Sequence, residues 1–361
     1  MLGYIARRVL FMVPTLFFIM LLNFAIVQVT PGGPVEQILA GLTGVGSESV
    51  NRVSSTGDVG GGSSGGESGY RGAQGLPEGF VEKLEKQFGF DKPAHERFFT
   101  MMWNYLRFDF GESYFRSDSV WTIMKEKLPV SISLGLWTVL ITYLVCIPLG
   151  ISKAMRDGSR FDVVSSGVII VGHAIPSFSF AVLLLIIFGK GGMFEWFPVR
   201  GLVSANWDDL SFFGQILDYF WHLALPLTAM IVGAFASLTF LTKNSFLDQI
   251  RLQYVLTARA KGLSEKRVLY GHVFRNAMLV VIASFPVAFG TIFITGSLFI
   301  ETIFSLDGLG LLAFESALKR DYTLMFGILY IYSLIHLVTT LISDITYMLV
   351  DPRIDFESRE S

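Results

Sequence analysis

Apolar positions in this chain run together far more than they alternate with polar ones. Six stretches, 9–29, 132–151, 163–188, 220–241, 277–300 and 324–350, are apolar almost throughout. A helix rises about 1.5 Å per residue, so about 20 apolar residues cover the roughly 30 Å of hydrocarbon in a bilayer. Each stretch therefore predicts one spanning helix. The first follows Arg7 and Arg8 as a secretion signal would, but it outruns the about 7–15 apolar residues of such a signal and no small-residue cleavage site follows Val29. It is expected to be a retained anchor, and an even number of spans puts both termini on one side.

Basic residues set the orientation. With the N-terminus inside, the inner segments carry Arg7, Arg8, Lys153, Arg156, Arg160, Lys243, every basic residue from Arg251 to Arg275, and Arg353 and Arg359 in the tail. The short outer loops then carry only Lys190, Arg200, Lys319 and Arg320, as the excess of cytoplasmic Lys and Arg in membrane proteins requires. The expected organisation is a first span over 1–30, an extracytoplasmic loop over 31–131, a five-helix core over 132–350 with an inner loop at 243–276, and a cytoplasmic tail over 351–361.

Within the outer loop, about 44–76 is Gly/Ser-rich (SSTGDVGGGSSGGESGYRGAQGL) with almost nothing to bury, and is expected to be a flexible insertion. From Pro77 onward, EGFVEKLEKQFGF and HERFFTMMWNYLRF place apolar residues at helical spacing with interfacial Trp and Tyr, predicting short amphipathic helices.

Composition agrees with a membrane protein. Hydrophobic residues make up 52% and charged residues 16%, and the net charge of −2 argues against a nucleic-acid binder, which needs excess Lys and Arg to displace counterions from phosphates. Cys146 is the only cysteine, which excludes disulfides within the chain and cysteine-based metal sites. No catalytic, cofactor or metal site is expected. The only Gly-Lys pair, Gly189-Lys190, lacks the Ser or Thr of a phosphate-binding loop; His95 in HERFF lacks the second histidine of a zinc-hydrolase helix; and no Gly-x-Ser-x-Gly occurs. A secondary transporter or channel would also have six spans, but would normally show paired internal repeats, which are not seen.

The inner loop carries the most specific local pattern, YVLTARAKGLSEKRVLYGHVFRNA at 254–277. Residues 254–261 are good helix formers, Gly262 stands where a left-handed helix stop is wanted, and Ser264 can cap a second helix with Glu265 in its first turn. Small Ala258 and Ala260 would let a partner approach the backbone, and Arg259 and Lys261 offer charge-assisted hydrogen bonds. The coupling surface expected from this reading is Thr257, Ala258, Arg259, Ala260, Lys261, Gly262 and Ser264. Inside the spans, Pro148, Pro176, Pro226 and Pro286 each remove a backbone hydrogen bond and predict kinks, with a gating role open for Pro176, Pro226 and Pro286. His173, His336 and Asp344 lie at membrane depth; Asp344 is expected to pair with another helix or with a basic residue of the inner loop. Gly290 and Gly296 read as packing contacts.

TARAKGLSEKRVL followed by HVFRNA resembles the cytoplasmic loop of ABC-importer membrane subunits of the oligopeptide and dipeptide permease branch. Of that loop's wider pattern only Ala258 and Gly262 match, with Leu256 and Thr257 standing where an acidic residue and an alanine are usual. The start through Pro31–Pro34, FDFGESY at 108–114 with Phe108 where the branch has glycine, IETIFSLDGLGLLAFESALKRDYTLM at 300–325 and DPRIDFE at 351–357 are similar to the same branch. Within it, the insertion and tail are similar to the B-type membrane subunit of peptide and microcin C importers. The resemblance implies an all-α multi-pass membrane protein of six transmembrane helices with the type I ABC importer permease fold. It implies no enzyme activity in this chain, no cofactor bound to it, and ATP and Mg on a partner ATPase. The implied partners are a second homologous permease subunit forming a heterodimer, cytoplasmic ABC ATPase subunits, an extracytoplasmic substrate-binding protein and a peptide substrate.

Overall fold

A computed structural model describes residues 2–29, 92–113, 115–116, 118–294 and 298–350. The Gly/Ser-rich insertion, the segment EGFVEKLEKQFGF, Gly296 and the 351–361 tail lie outside the described residues. The chain divides into two compact units, one of residues 1–14, 124–312 and 331–361, the other of residues 15–123 and 313–330.

The described elements are α1 (Leu2–Val29), α2 (Ala94–Tyr105), α3 (Val120–Met155), α4 (Arg160–Ala174), α5 (Ser177–Phe188), α6 (Phe212–Ile250), α7 (Gln253–Ala260), α8 (Glu265–Val268), a π-helical turn (Leu269–Val273), α9 (Phe274–Ile294), α10 (Leu298–Ile303), α11 (Leu309–Leu318) and α12 (Tyr322–Val350). Among the described residues, five helices are long and apolar enough to cross a membrane: Ile5–Val29, Val120–Met155, Phe212–Ile250, Glu265–Gly290 and Tyr322–Leu349. The sixth candidate is the pair α4 and α5, bent by 94°.

Each predicted span overlaps one of these, but the edges differ, and residues 295–297 of the fifth lie outside the described residues. The second starts at Val120, so the expected boundary at 131 lies inside α3. Likewise α6, at 39 residues, is roughly 58 Å long and outreaches the hydrocarbon, taking Lys243 into the helix rather than the following loop.

The third span is where the proline reading divides. Pro176 breaks it: Ile175 adopts an extended backbone (φ −83°, ψ 122°), as a residue before proline prefers, and α5 starts directly after the proline. Pro148, Pro226 and Pro286 lie inside α3, α6 and α9, each of which runs on as one continuous helix. A missing N–H alone did not decide the outcome. At 176 an extended residue and a helix start coincide, and the freed groups lie where a helix end leaves groups unpaired anyway.

The first unit has two apolar cores strung along α3 and α6. Cys146, Ile151, Leu238 and Phe246 gather with Val255, Val268, Val273 and Ala277 at one end. Leu134, Leu223 and Leu227 gather with Ala181, Ile300 and Phe304 at the other. Close helix approach depends on small residues, as in membrane bundles generally. At Gly150 a β-carbon would meet Thr242 at 2.7 Å, and at Gly290 it would meet Thr339 at 2.4 Å. Ser245 on α6 donates to the Ala277 carbonyl at 2.6 Å, so α6 and α9 are also joined by a polar link.

In the second unit, α2 buries Phe98 and Tyr105 and packs by ring edges, with Phe98 on Phe24 at 5.3 Å and Tyr105 on Tyr330 at 5.3 Å. The FDFGES segment, residues 108–113, forms the following turn. Phe108 has φ +59° and Gly111 φ +74°, and buried Ser113 donates to the buried Asp321 carboxylate while accepting from the Arg116 N–H at 3.1 Å.

Candidate functional site

The pattern singled out at 254–277 folds as helix, turn, helix at one end of the first unit. Two residues after α6 ends, α7 begins. At its far end Gly262 has φ +77° and its N–H bonds to the Arg259 carbonyl at 2.9 Å, closing the helix in the left-handed conformation that favours glycine. A β-carbon at Gly262 would meet nothing within 4 Å, so the requirement is conformational rather than steric.

One face of α7 is anchored and the other is free. Val255 and Ala258 are buried against Ile151, Ala154, Val268 and Leu269. Thr257, Arg259, Ala260, Lys261, Gly262 and Ser264 are exposed. Ala258 was expected on the outward surface; its small side chain instead faces the chain's own core, where it lets α7 lie close to α3 and α8. Ser264 stands at the N-cap of α8 with an extended backbone, yet its hydroxyl makes no cap bond. Arg259 reaches over the turn to Glu265 at 3.0 Å, an exposed pair that holds the two arms together. The second arm is no separate small helix, because α8 runs through the π-helical turn into α9, and the whole belongs to the Glu265–Gly290 span.

Behind α7 lies a buried ion cluster. Lys153, at the end of α3, is 0% exposed; it meets the Asp162 carboxylate at 3.1 Å and donates to the Asp162 carbonyl at 2.9 Å and to the Ser165 and Ser166 hydroxyls at 2.7 Å each. Lys243 of α6 meets the same carboxylate at 2.7 Å and Asp157 at 2.9 Å, and Arg251 lies 3.8 Å from Asp157. In the sequence, Lys153 and Lys243 count only as loop charges. The available signal was Asp157, Asp162, Ser165 and Ser166 following Lys153 within one helical turn-and-return.

Asp344 meets Arg8 of α1 at 3.0 Å, so its partner is on another helix and not in the 254–277 segment. Of the two membrane-depth histidines, His173 contacts the Gly233 carbonyl at 3.0 Å. Near that contact is a cavity of about 840 Å³ between α3, α5, α6 and α9, lined by Thr138, Thr142, Ser177, Gly233, Ser237 and Ser284 among others. Its lining is apolar and hydroxyl-bearing, without a formal charge among the described residues.

Glu301 is a further buried group that the sequence does not single out. It is fully buried, its Oε2 accepts from the Leu311 N–H at 2.7 Å, and Gly308 packs directly on the carboxyl. Burial pushes this carboxyl up to about 7; the Leu311 and Gly310 N–H groups pull it back and Asp307 adds to the rise.

An all-helical bundle of this topology, with an exposed glycine-stopped helix following its longest span, is that of an ABC importer membrane subunit. Residues 146–356 match the family model of the binding-protein-dependent transport system inner membrane component, and the chain belongs to that family. It is 59% identical over 361 residues to the peptidoglycan transport system permease protein YejB of Agrobacterium fabrum, covering 99% of each chain. It is 56% identical to the inner membrane ABC transporter permease protein YejB of Escherichia coli O157:H7, covering 99% of this chain and 100% of that one. The oligopeptide transport system permease protein AppB of Bacillus subtilis is 31% identical over 99% of this chain and 100% of its own. A chain from the inward-facing MetNI methionine ABC transporter shares the fold, with a TM-score of 0.50 at 14% identity over 65% of this chain and all of its own.

This chain is thus a multi-pass permease subunit of an ABC importer in the inner membrane. Membership of the family implies an ATPase and a substrate-binding protein as partners.

Proposed function

We propose that this subunit carries peptides inward, that α7 is the segment an ATPase grips, and that both termini lie on the cytoplasmic side with α7. Relatives named for peptidoglycan and for oligopeptides share peptide bonds as their common cargo chemistry. A second, homologous permease subunit completes the passage, and ATP and Mg are bound by the ATPase rather than by this chain.

The observation that carries the reading is the one-sided burial of α7. Val255 and Ala258 fix it to the bundle while Thr257, Arg259, Ala260 and Lys261 face out, so a partner can hold the outer face and move the helices behind the inner one. A hairpin exposed on both faces would transmit nothing.

The test is ATP-driven uptake of a labelled oligopeptide into vesicles holding the whole complex, together with co-purification of the ATPase. Arg259→Glu with Lys261→Glu is expected to weaken ATPase capture at moderate salt. Gly262→Val, strained at φ +77°, is expected to abolish uptake with the complex still assembled. Full uptake by both variants would overturn the assignment.

A further inference from the structure

We propose that Asp162, clamped between Lys153 and Lys243, is the joint through which displacement of α7 reaches the bend at Ile175–Pro176 and the cavity beside it. This rests on α7 being the gripped segment.

The connectivity is short and continuous. Lys243 sits in the last two turns of α6, and Arg251, which follows α6, stands two residues before α7 begins. Both bases engage Asp157, and Lys243 also engages Asp162 in the first turn of α4. A second tie comes from Lys153, which fixes the end of α3 to the same carboxylate and to Ser165 and Ser166 on α4. Ser159 caps α4 by accepting from the Asp162 N–H at 3.3 Å, and the Gly158 N–H donates to the Asp162 carboxylate at 3.1 Å, so the turn into α4 is also drawn in.

From that joint α4 runs as a single rod of roughly 18 Å to Ala174, where the chain bends by 94° into α5. Ser177, the first residue of α5, lines the 840 Å³ cavity, and so does Gly233, whose carbonyl holds His173. A tilt imposed at the joint becomes a displacement at the bend, and the bend borders the cavity.

Buried ions are a poor device for stability alone, since well-packed apolar residues of like volume do as well or better. Their gain here is directional: Asp162 receives two cations from two helices, so α3, α4 and the end of α6 shift together. Lys153 and Lys243 are accordingly positioning residues, and neither faces the cavity.

The experiment compares peptide imported per ATP hydrolysed in the reconstituted complex for wild type, Lys243→Met, Lys243→Arg and Asp162→Asn. Lys243→Met is expected to keep ATPase capture and ATP hydrolysis while peptide per ATP falls about 5-fold or more, the scale of an ordinary coupling energy. Lys243→Arg is expected to restore most of the ratio. An unchanged ratio in Lys243→Met overturns the joint. If that variant does not assemble, Asp162→Asn decides instead, because it keeps the side chain's shape while removing the charge that both lysines share, with Lys243 still held by Asp157 and Lys153 by Ser165 and Ser166; a wild-type ratio there also overturns the joint. Failure of the α7 reading looks different: the Arg259 and Lys261 reversals would leave ATPase capture and uptake intact.

Discussion

Gly290 of α9 lies against Thr339 of α12 with no room for a single added carbon: a β-carbon at 290 would sit 2.4 Å from the Thr339 methyl and 2.5 Å from its hydroxyl. Thr339 is itself held, its hydroxyl bonding back to the Ile335 and His336 carbonyls at 2.8 and 3.0 Å. Its branched side chain has little freedom to yield.

Gly290→Ala is therefore expected to destabilise the subunit by about 1–3 kcal/mol, the usual cost of overpacking. Thermal unfolding in detergent reads it, and Gly290→Ala with Thr339→Ala is expected to recover most of the loss. A Gly290→Ala melting temperature equal to wild type would contradict the contact.

Glu301 gives the subunit a pH dependence of known sign. Its folded carboxyl, at about 7, binds a proton more tightly than an unfolded one at about 4.5, so its contribution to stability is full below about pH 4.5 and is lost as pH rises through about 7. Asp307 and Tyr332 are its titratable neighbours. Glu301→Gln is expected to remove up to about 3 kcal/mol of the pH-dependent difference in stability between pH 5 and pH 8. A variant that melts with the same pH profile as wild type would show that another group is responsible.

Phe108 holds a left-handed backbone, φ +59°, that side chains adopt at a cost of roughly 1–2 kcal/mol. Its ring is exposed and touches only Phe110 edge-on, at 6.3 Å, among the ring contacts described. Phe108→Gly is expected to raise stability by about 0.5 kcal/mol after the glycine's extra freedom in the unfolded chain is subtracted. Phe108→Ala serves as the control, losing the ring without relieving the backbone. A glycine variant that melts below the alanine variant would refute the strain.

What could be read in the sequence divides along the range of the interaction involved. The spans were legible because bilayer thickness imposes a length on each apolar run, and the stop at Gly262 because its left-handed turn depends on the residue itself. The glycine at 290 was also legible as a contact, since small residues within spans mark close helix approach.

What stayed hidden depends on neighbours outside the local pattern. Nothing within 254–264 says that Ala258 points inward, since its orientation is fixed by Val268 and Leu269 across the turn. Asp344 pairs with another helix, one of the two expected alternatives, but which helix could not be read because Arg8 lies over three hundred positions upstream; Lys153, counted as a loop charge, is neutralised by Asp162 and not by solvent. Glu301 was hidden in another way: it comes directly after the run 277–300 read as a span, and the helix terminus whose N–H group it accepts comes ten residues later. Pro176 could not be separated from Pro148, Pro226 and Pro286 because all four share the same local chemistry; the differing response of each surrounding helix decides.

The unbroken course of α6 has a mechanical consequence. Phe212 and Ile250 are the two ends of one continuous helix that runs through Pro226, so a push at either end of this wall is carried along a single rod to the other.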